Sequence, residues 1–208
     1  LYHACPLVLM SPLDFLARPE RWLWAIHQHR GTVTAAPNFA FELCLRHLDP
    51  ARLKDLDLSS WRYAANGAEP VAAETLSRFA AAFAPYGFHA TALAPVYGLA
   101  ECSVGLAVSP PGRGPLIERV QRDRLLAHGE AVPAEGGDES ALQLVACGQP
   151  LPGHDVRIVD DAGRELPPRH VGRLEFCGPS ATRGYFRNEE ASAGLIHDGW
   201  LDSGDLAY

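Results

Sequence analysis

The sequence predicts an α/β protein with a mostly parallel sheet flanked by helices, followed by a smaller β-rich lobe. Three observations support this fold class. Short apolar segments alternate with segments of helical periodicity up to residue 98. From Leu142 onward the pattern changes to alternating, turn-rich sequence. The segment PPGRGP at residues 110 to 115 resembles a linker between them. We therefore predict two domains, residues 1–112 and 113–208.

The first predicted elements are a strand, a helix and a second strand. The apolar run LVLM at residues 7 to 10 suits a buried strand. A helix follows, with Trp22 and Ile26 on its apolar face, and it ends near Gly31. Residues 32 to 36 are β-prone.

The next elements continue this alternation. Asn38 is the predicted N-cap of the helix FAFELCLRHL, which must end before Pro50 because proline disfavours helical geometry in the residue before it. A strand at residues 61 to 65 leads into the turn NGAEP and a helix with apolar residues at i, i+3, i+4 and i+7 from Leu76. The strand LAPVYG comes next. In such sheets ligands bind beyond the carboxyl ends of the strands, where NGAEP and YGLAE lie.

The second half of the chain is predicted from turns and alternation. Residues 116 to 127 suit one short helix, and PAEGGDES is a solvated loop. DVRIVD and VGRLEFCG alternate as two strands around the turn DAG.

Composition narrows the classes of function. The formal net charge of -7 disfavours nucleic acid or an anionic membrane surface as partner. A small-molecule substrate is therefore the better expectation. No apolar run approaches the roughly 20 residues that span a bilayer, and no charged start followed by an apolar core resembles a signal peptide. We therefore expect no stable membrane insertion and a cytoplasmic location. The five cysteines are scattered without CxxC spacing and are expected to be reduced and mostly buried, and no histidine has metal-ligand spacing.

Four motifs occur in a fixed order: NGAEP at 66 to 70, YGLAE at 97 to 101, GRLEFCGPSATRGYF at 172 to 186 and DGWLDSGDLAY at 198 to 208. They resemble the core motifs of the adenylate-forming superfamily, which includes acyl-CoA synthetases, nonribosomal-peptide adenylation domains, luciferases and fatty acyl-AMP ligases. The resemblance runs through nearly the whole chain and is strongest to the fatty acyl-AMP ligases. It implies an internal fragment of the large N-terminal domain, which agrees with a chain that starts without Met.

The resemblance implies a reaction and its substrates. A fatty acid is activated by ATP with Mg²⁺ to an acyl-adenylate, pyrophosphate is released, and the acyl group passes to an acyl carrier protein. Residues 116 to 146 correspond to an insertion of the fatty acyl-AMP ligases that is associated with this acceptor. The family's phosphate loop, catalytic lysine and C-terminal domain have no counterpart in this sequence, so we expect the fragment alone to be inactive.

YGLAE carries the predicted catalytic and metal-binding residue. Glu101 matches the family's Mg²⁺ ligand, and a carboxylate supplies the hard oxygen that this ion requires. Gly98 lets the backbone approach the phosphate, and Tyr97 offers a flat face near adenine. Many superfamily members have a hydroxyl residue at the position of Ala100. The alanine of YGLAE resembles the fatty acyl-AMP ligase version of this motif. The alternative is that Glu101 only caps or solvates a loop.

NGAEP matches the loop whose backbone lines adenine. The resemblance assigns Asn66, Gly67, Ala68 and Glu69 to nucleotide binding. Alone, an Asn-Gly pair more often forms only a turn.

Gly204-Asp205 matches the ribose-binding motif. A carboxylate can accept hydrogen bonds from both ribose hydroxyls, so Asp205 is assigned to the nucleotide. Asp202 nearby is interpreted as a turn residue. In the preceding motif, Arg183 and Tyr185 could pack or line the site but are not predicted to be catalytic, and Glu175 is predicted to be a surface or ion-pair carboxylate.

APNFAFEL resembles the wall of the acyl site in these enzymes. Asn38, Phe39 and Phe41 are therefore candidates for an acyl pocket, which needs an apolar lining. The alternative is that both phenylalanines are core aromatics.

Three other functions compete with the fatty acyl-AMP ligase. An acyl-CoA ligase would share adenylation and differ in the acceptor. A nucleotide-binding or interaction fragment would keep the fold without catalysis. A dinucleotide-binding oxidoreductase is disfavoured because no strand is followed by GxGxxG.

Overall fold

The computed structural model describes residues 3 to 208, which divide into two compact units. The first unit contains the residues up to Pro95 together with Ser109–Pro115. The second contains Val96–Val108 and Leu116–Tyr208. The chain therefore passes between the units more than once, and the units are nearly equal in length. A single domain boundary near residue 112 stays a prediction.

The first unit alternates helices with strands. Its elements are α1 Pro12–Ala17, α2 Glu20–His29, β1 Val33–Ala36, α3 Asn38–Arg46, β2 Tyr63–Asn66, α4 Ala73–Phe83, the 3₁₀ turns Ala84–Tyr86 and Ala90–Ala92, and the first residues of β3, Leu93–Tyr97. Strand β2 pairs in parallel with both β1 and β3. The predicted parallel arrangement of these three strands is confirmed.

Aromatic side chains form the core of the first unit. Phe41, Trp61 and Phe79 are at most 1% exposed. The rings of Phe41 and Phe79 meet edge to face with centroids 5.0 Å apart, and the Trp61 ring meets Phe79 in the same way at 6.0 Å. Edge-to-face pairs are favourable because the positive ring edge faces a negative ring face. The helical periodicity of α4 predicted this buried face correctly.

Two predictions for this unit are wrong. Residues 7 to 10 form no strand, and Leu7 and Leu9 are 74% and 83% exposed, because no neighbouring strand pairs with them in the described chain. Asn38 is the first residue of α3 and not its N-cap, since Pro37 holds the cap position. The Asn38 carboxamide instead makes tertiary hydrogen bonds.

The second unit is built mainly from antiparallel strands. Its elements after β3 are the 3₁₀ turn Ala100–Cys102, β4 Ala107–Val108, β5 Leu116–Val120, α5 Arg122–His128, β6 Leu142–Ala146, β7 Gln149–Pro150, β8 Asp155–Val159, β9 Gly172–Cys177, α6 Glu189–Leu195, β10 Ile196–His197 and β11 Trp200–Ala207. One antiparallel sheet has the order β10-β11-β9-β8, and β5 pairs with β6. The last residues of β3 pair with β4, which pairs with β7. Buried Leu106, Phe176 and Leu201 belong to its core.

The helix predicted for residues 116 to 127 is wrong in its first half. Leu116–Val120 is strand β5, paired over its whole length with Leu142–Ala146, and only α5 after it is helical. Pairing with a distant strand overrides local preference here.

The antiparallel pairing of β9 with β11 changes register between Asp202 and Leu206. Asp202 pairs with Glu175 and Leu206 with Arg173, so β11 contains two more residues than β9 over this interval. Such a bulge lifts backbone out of the ladder.

Glu175 is buried and pairs with Arg157, with 2.6 Å between Arg157 Nη2 and Glu175 Oε2, which confirms its ion-pair interpretation.

Two further observations concern composition. Within residues 3 to 208, no helix combines the length and the apolar character needed to cross a bilayer. All five cysteines are free, but only Cys44 and Cys102 are buried, so the expectation that most are buried is wrong.

Candidate functional site

A tight turn after β3 presents Glu101. An added Cβ at Gly98 would lie 1.8 Å from the carbonyl oxygen of Val104, so only glycine fits there. The chain closes on itself because the Leu106 amide donates to the Tyr97 carbonyl oxygen at 3.0 Å. This return places Glu101 in the 3₁₀ turn directly after the strand.

Glu101 has two hydrogen bonds to one other segment of the second unit. Its carbonyl oxygen accepts from the Thr182 amide at 2.7 Å. Its Oε1 accepts from the Tyr185 hydroxyl at 2.6 Å, and this bond raises the pKa of Tyr185 above its ordinary value, so Tyr185 remains a donor at neutral pH. A carboxylate has about four acceptor positions, so one tyrosine bond leaves others for a ligand.

A second set of hydrogen bonds, made by Ser180, stabilises the residues that follow Glu101 in the turn. The Ser180 hydroxyl donates to the Cys102 carbonyl oxygen at 3.3 Å, and the Ser103 hydroxyl donates to the Ser180 carbonyl oxygen at 3.2 Å. A 2.7 Å hydrogen bond joins His154 Nε2 to Ser180 Oγ. Buried Cys102 belongs to the core of the unit. The turn that carries Glu101 is therefore fixed on both sides.

Asp205 lies on the bulge of β11. Gly204 adopts φ 76°, a left-handed conformation that glycine reaches without steric cost. Its amide donates to Asp202 Oδ1 at 2.9 Å, and the Asp205 amide donates to Ser203 Oγ at 3.1 Å. Asp205 is exposed. The bulge therefore presents its carboxylate to solvent on a locally fixed backbone.

Asp202 differs from its interpretation as a turn residue. It lies in β11, and its Oδ2 accepts from Arg173 Nη1 at 2.5 Å. Besides this ion pair it stabilises the bulge through the Gly204 amide. Asp202 is thus a strand residue that supports the bulge.

Tyr97 and Asp205 meet directly. The Tyr97 hydroxyl donates to Asp205 Oδ2 at 2.5 Å. Burial, followed by this hydrogen bond, raises the pKa of Tyr97, so its hydroxyl stays protonated at neutral pH. Two of the predicted nucleotide-binding residues are therefore in contact.

The NGAEP turn lies in the first unit. Asn66 is completely buried, and its Nδ2 donates to Asn38 Oδ1 at 3.2 Å. Asn66 Oδ1 is a buried acceptor without a hydrogen-bond partner among the described residues. Ala68 adopts φ 64°, and Gly67 beside it is buried, which confirms a tight turn at the strand end.

The same turn is tied to α3. Glu69 Oε1 accepts from the Phe39 amide at 2.5 Å, and Asn38 Oδ1 accepts from the Ala72 amide at 3.2 Å. Asn38 Nδ2 also donates to Thr75 at 3.3 Å. Within this unit the structure therefore brings the predicted adenine turn next to the predicted acyl segment.

The two candidate acyl-pocket phenylalanines differ in environment. Phe41 is fully buried, with its ring 5.3 Å from that of Trp22, whereas Phe39 is 46% exposed. Phe41 is a core aromatic. An acyl pocket at Asn38, Phe39 and Phe41 stays a prediction.

The side chains that could bind a metal ion determine whether the predicted Mg²⁺ site is plausible. Across residues 3 to 208, no cluster of three or more His, Cys, Asp or Glu residues could hold a metal ion. Mg²⁺ commonly binds through one or two carboxylates together with substrate phosphates and waters. Among residues 3 to 208, Glu101 Oε1 accepts a hydrogen bond and Oε2 accepts none, so Oε2 could serve as one carboxylate ligand of a Mg²⁺ bound together with ATP.

Sequence reasoning missed several residues around Glu101. Tyr185 lies 84 residues from Glu101 and was not assigned a role at the carboxylate. Thr182, Ser180 and His154 were likewise not assigned to this turn. Ser180, Thr182 and Tyr185 belong to the motif at 172 to 186 and His154 lies outside it, but spacing along a chain gives no signal for such distant contacts.

Comparison with known proteins identifies the family. The sequence model of a family described as AMP-binding enzyme matches residues 1–186. The medium-chain-fatty-acid–acyl-carrier-protein ligase JamA of Moorena producens is 38% identical, and the match covers 99% of this chain and 35% of JamA. A 4-hydroxyphenylalkanoate adenylyltransferase of Mycobacterium tuberculosis is 40% identical, covering 96% of this chain and 34% of that protein.

A solved structure agrees with the fold. The fatty acyl-adenylate ligase of L. pneumophila, in complex with acyl adenylate and pyrophosphate, superposes with a TM-score of 0.90 at 30% identity. The match covers 96% of this chain and 36% of that one, so this chain spans about a third of the length of these proteins. The predicted fold class and the resemblance to fatty acyl-AMP ligases are confirmed. With a family match across most of its length, this chain belongs to the AMP-binding enzyme family.

Proposed function

We propose that the full-length protein uses ATP to convert a fatty acid into an acyl-adenylate and pyrophosphate. A carboxylate oxygen of the acid attacks the α-phosphorus of ATP, the new P–O bond forms, and the bond to pyrophosphate breaks. The observation that carries this proposal is the second unit's pair of tyrosine-bonded carboxylates, Glu101 with Tyr185 and Asp205 with Tyr97. The motifs that contain these carboxylates resemble those of enzymes that carry out this chemistry.

Each carboxylate suits one part of MgATP. Asp205 is exposed on a fixed bulge and can accept hydrogen bonds from both ribose hydroxyls. Glu101 would hold Mg²⁺ through a hard carboxylate oxygen, and the bound ion would supply charge neutralisation at the pyrophosphate. We assign the NGAEP turn to adenine, since its left-handed Ala68 and buried Gly67 form a compact backbone surface at a strand end.

We further propose that the acceptor is the thiol of an acyl carrier protein. JamA is named for that acceptor and is 38% identical to nearly the whole of this chain. The segment assigned to the subfamily insertion folds here as two antiparallel strands, β5 and β6, with helix α5 in the connection between them. An acyl-CoA ligase remains the competing function and differs only in the second step.

The test is detection of the product with the full-length protein. The protein is incubated with ATP, Mg²⁺ and a panel of straight-chain fatty acids and 4-hydroxyphenylalkanoates, and acyl-AMP is measured by mass spectrometry. We expect acyl-AMP from the fatty acids. Product from the arylalkanoates alone would overturn the fatty acid assignment, and no acyl-AMP from any acid would favour a non-catalytic nucleotide-binding protein.

The acceptor is tested in a second step. Acyl-AMP formed in place is offered either coenzyme A or a phosphopantetheinylated carrier protein. We expect thioester on the carrier protein. Thioester on coenzyme A alone would identify an acyl-CoA ligase.

A further inference from the structure

One short segment contacts Glu101 at both its backbone and its side chain. The Thr182 amide donates to the Glu101 carbonyl oxygen at 2.7 Å. The Tyr185 hydroxyl donates to Glu101 Oε1 at 2.6 Å. The hydrogen bond from Thr182 stabilises the backbone of the turn, and the hydrogen bond from Tyr185 orients the Glu101 carboxylate.

The segment that carries Tyr185 is itself fixed. The Thr182 hydroxyl donates to the Gly184 carbonyl oxygen at 2.9 Å, and the Tyr185 amide donates to Ser192 Oγ at 2.8 Å. Gly184 adopts φ 134°, and an added Cβ there would lie 2.8 Å from Ser192 Oγ. The backbone position of the tyrosine is therefore also held by contacts within its own loop and with Ser192 of α6.

The Tyr185 side chain is not needed for the core. The residue is 42% exposed, and Phe186 beside it is 88% exposed. The hydroxyl nevertheless points to a carboxylate that has no second side-chain partner in the described residues. A tyrosine placed for packing would not require that bond.

We propose that Tyr185 is a positioning residue for Glu101. By holding Oε1 it restricts the rotation of the glutamate side chain and leaves Oε2 available for the divalent cation of the nucleotide. A glutamate that is already ordered loses less rotational freedom when it binds the cation. This inference rests on the proposed function of Glu101.

The experiment measures binding of Mn²⁺·ATP to the full-length protein by electron paramagnetic resonance, without turnover. Tyr185→Phe keeps the ring and removes the hydroxyl. We expect binding of Mn²⁺·ATP to weaken about 10-fold, as for loss of a hydrogen bond to a charged group. Binding of metal-free ATP, measured by calorimetry in the presence of EDTA, should be unchanged. Unchanged or tighter binding of Mn²⁺·ATP would overturn the proposal, and tighter binding would show that the tyrosine competes with the cation.

A matched control removes a chemically similar bond elsewhere in the unit. The Tyr208 hydroxyl donates to Glu118 Oε2 at 3.1 Å. Tyr208→Phe is expected to leave Mn²⁺·ATP binding unchanged. Equal weakening by both variants would indicate a general structural effect and overturn the proposal.

A double-mutant cycle separates the two inferences. We expect Glu101→Gln to weaken Mn²⁺·ATP binding, and Tyr185→Phe to add nothing in that background, because its effect acts through Glu101. An effect of Glu101→Gln without one of Tyr185→Phe would remove only the role of Tyr185. No effect of Glu101→Gln would remove the metal role of Glu101 and the inference that depends on it.

Discussion

Tyr97 and Asp205 are 108 residues apart in the chain, and the Tyr97 hydroxyl donates to Asp205 Oδ2 at 2.5 Å. The tyrosine ends β3, and the aspartate lies on the bulge of β11. The bond therefore fixes the carboxylate that we assign to ribose. It also brings the motifs YGLAE and SGDLAY into contact although they are distant in sequence.

The first prediction concerns this bond. Tyr97→Phe should raise the KM for ATP about 5- to 10-fold, because Asp205 loses the donor that orients it. The measurement is pyrophosphate exchange by the full-length protein at varied ATP. Tyr63→Phe removes a tyrosine bond to the Ser109 carbonyl oxygen and should leave this KM unchanged. An unchanged KM in Tyr97→Phe would contradict the orienting role.

The second prediction concerns the turn at Gly98. Gly98→Ala should destabilise the fold by about 3 kcal/mol, because the new Cβ would collide with the Val104 carbonyl oxygen. Gly194→Ala is the matched control, since Gly194 lies in α6 with open space around its added Cβ. Alanine there should be neutral or stabilising by up to about 1 kcal/mol. The check is urea-induced unfolding of the full-length variants, and equal stability of the two would contradict the close approach.

The third prediction concerns Cys44. Burial, followed by the charge of Glu20, raises the pKa of its thiol to about 12. Because the thiolate is the reactive form, Cys44 should resist alkylation by iodoacetamide at pH 8 in the folded protein and react once the protein is unfolded in urea. Peptide mass spectrometry gives the extent of reaction at this residue. Rapid alkylation in the folded state would show that α3 opens readily.

The fourth prediction concerns alkaline stability. Burial, followed by the charge of Glu118, raises the pKa of Tyr208 from 10.0 to about 12. The folded state therefore binds this proton more tightly than the unfolded state, so the stabilisation is complete below about pH 10 and is lost as the pH rises towards 12. Tyr208→Phe should make the free energy of unfolding fall less steeply over this interval. Urea unfolding at a series of pH values tests this, and an unchanged slope would contradict the shift.

Local patterns predicted the elements whose burial is periodic. Helix α4 was predicted from apolar spacing alone, and its Phe79 and Phe83 are fully buried. Strand β1 was predicted within one residue. The strand predicted at residues 7 to 10 is wrong and the strand Leu116–Val120 was missed for one reason. Whether an apolar segment becomes a strand depends on a partner strand, which often lies far along the chain. Strand β6, which pairs with Leu116–Val120, begins more than twenty residues later.

In the candidate site, too, local motifs were recognisable from the sequence, whereas long-range contacts were not. Motif resemblance singled out Glu101 and Asp205 as candidates, because short glycine-containing turns leave a recognisable local pattern. It did not locate the bonds that orient them, since Tyr185 and Tyr97 reach the carboxylates only through the tertiary fold. Asp202 was misassigned because its ion pair with Arg173 depends on the pairing of β9 with β11.

The most direct measurement is fatty-acid-dependent exchange of labelled pyrophosphate into ATP by the full-length protein. Glu101→Ala and Asp205→Ala are compared with Glu74→Ala, a control at an exposed residue of α4 whose ion contact with Arg78 is 3.8 Å long. Loss of a group that stabilises developing charge commonly lowers rates about 100-fold or more. We predict losses of that size in both site variants while they remain folded, and full exchange in Glu74→Ala. Exchange at the unsubstituted rate in either site variant would contradict the role assigned to that carboxylate.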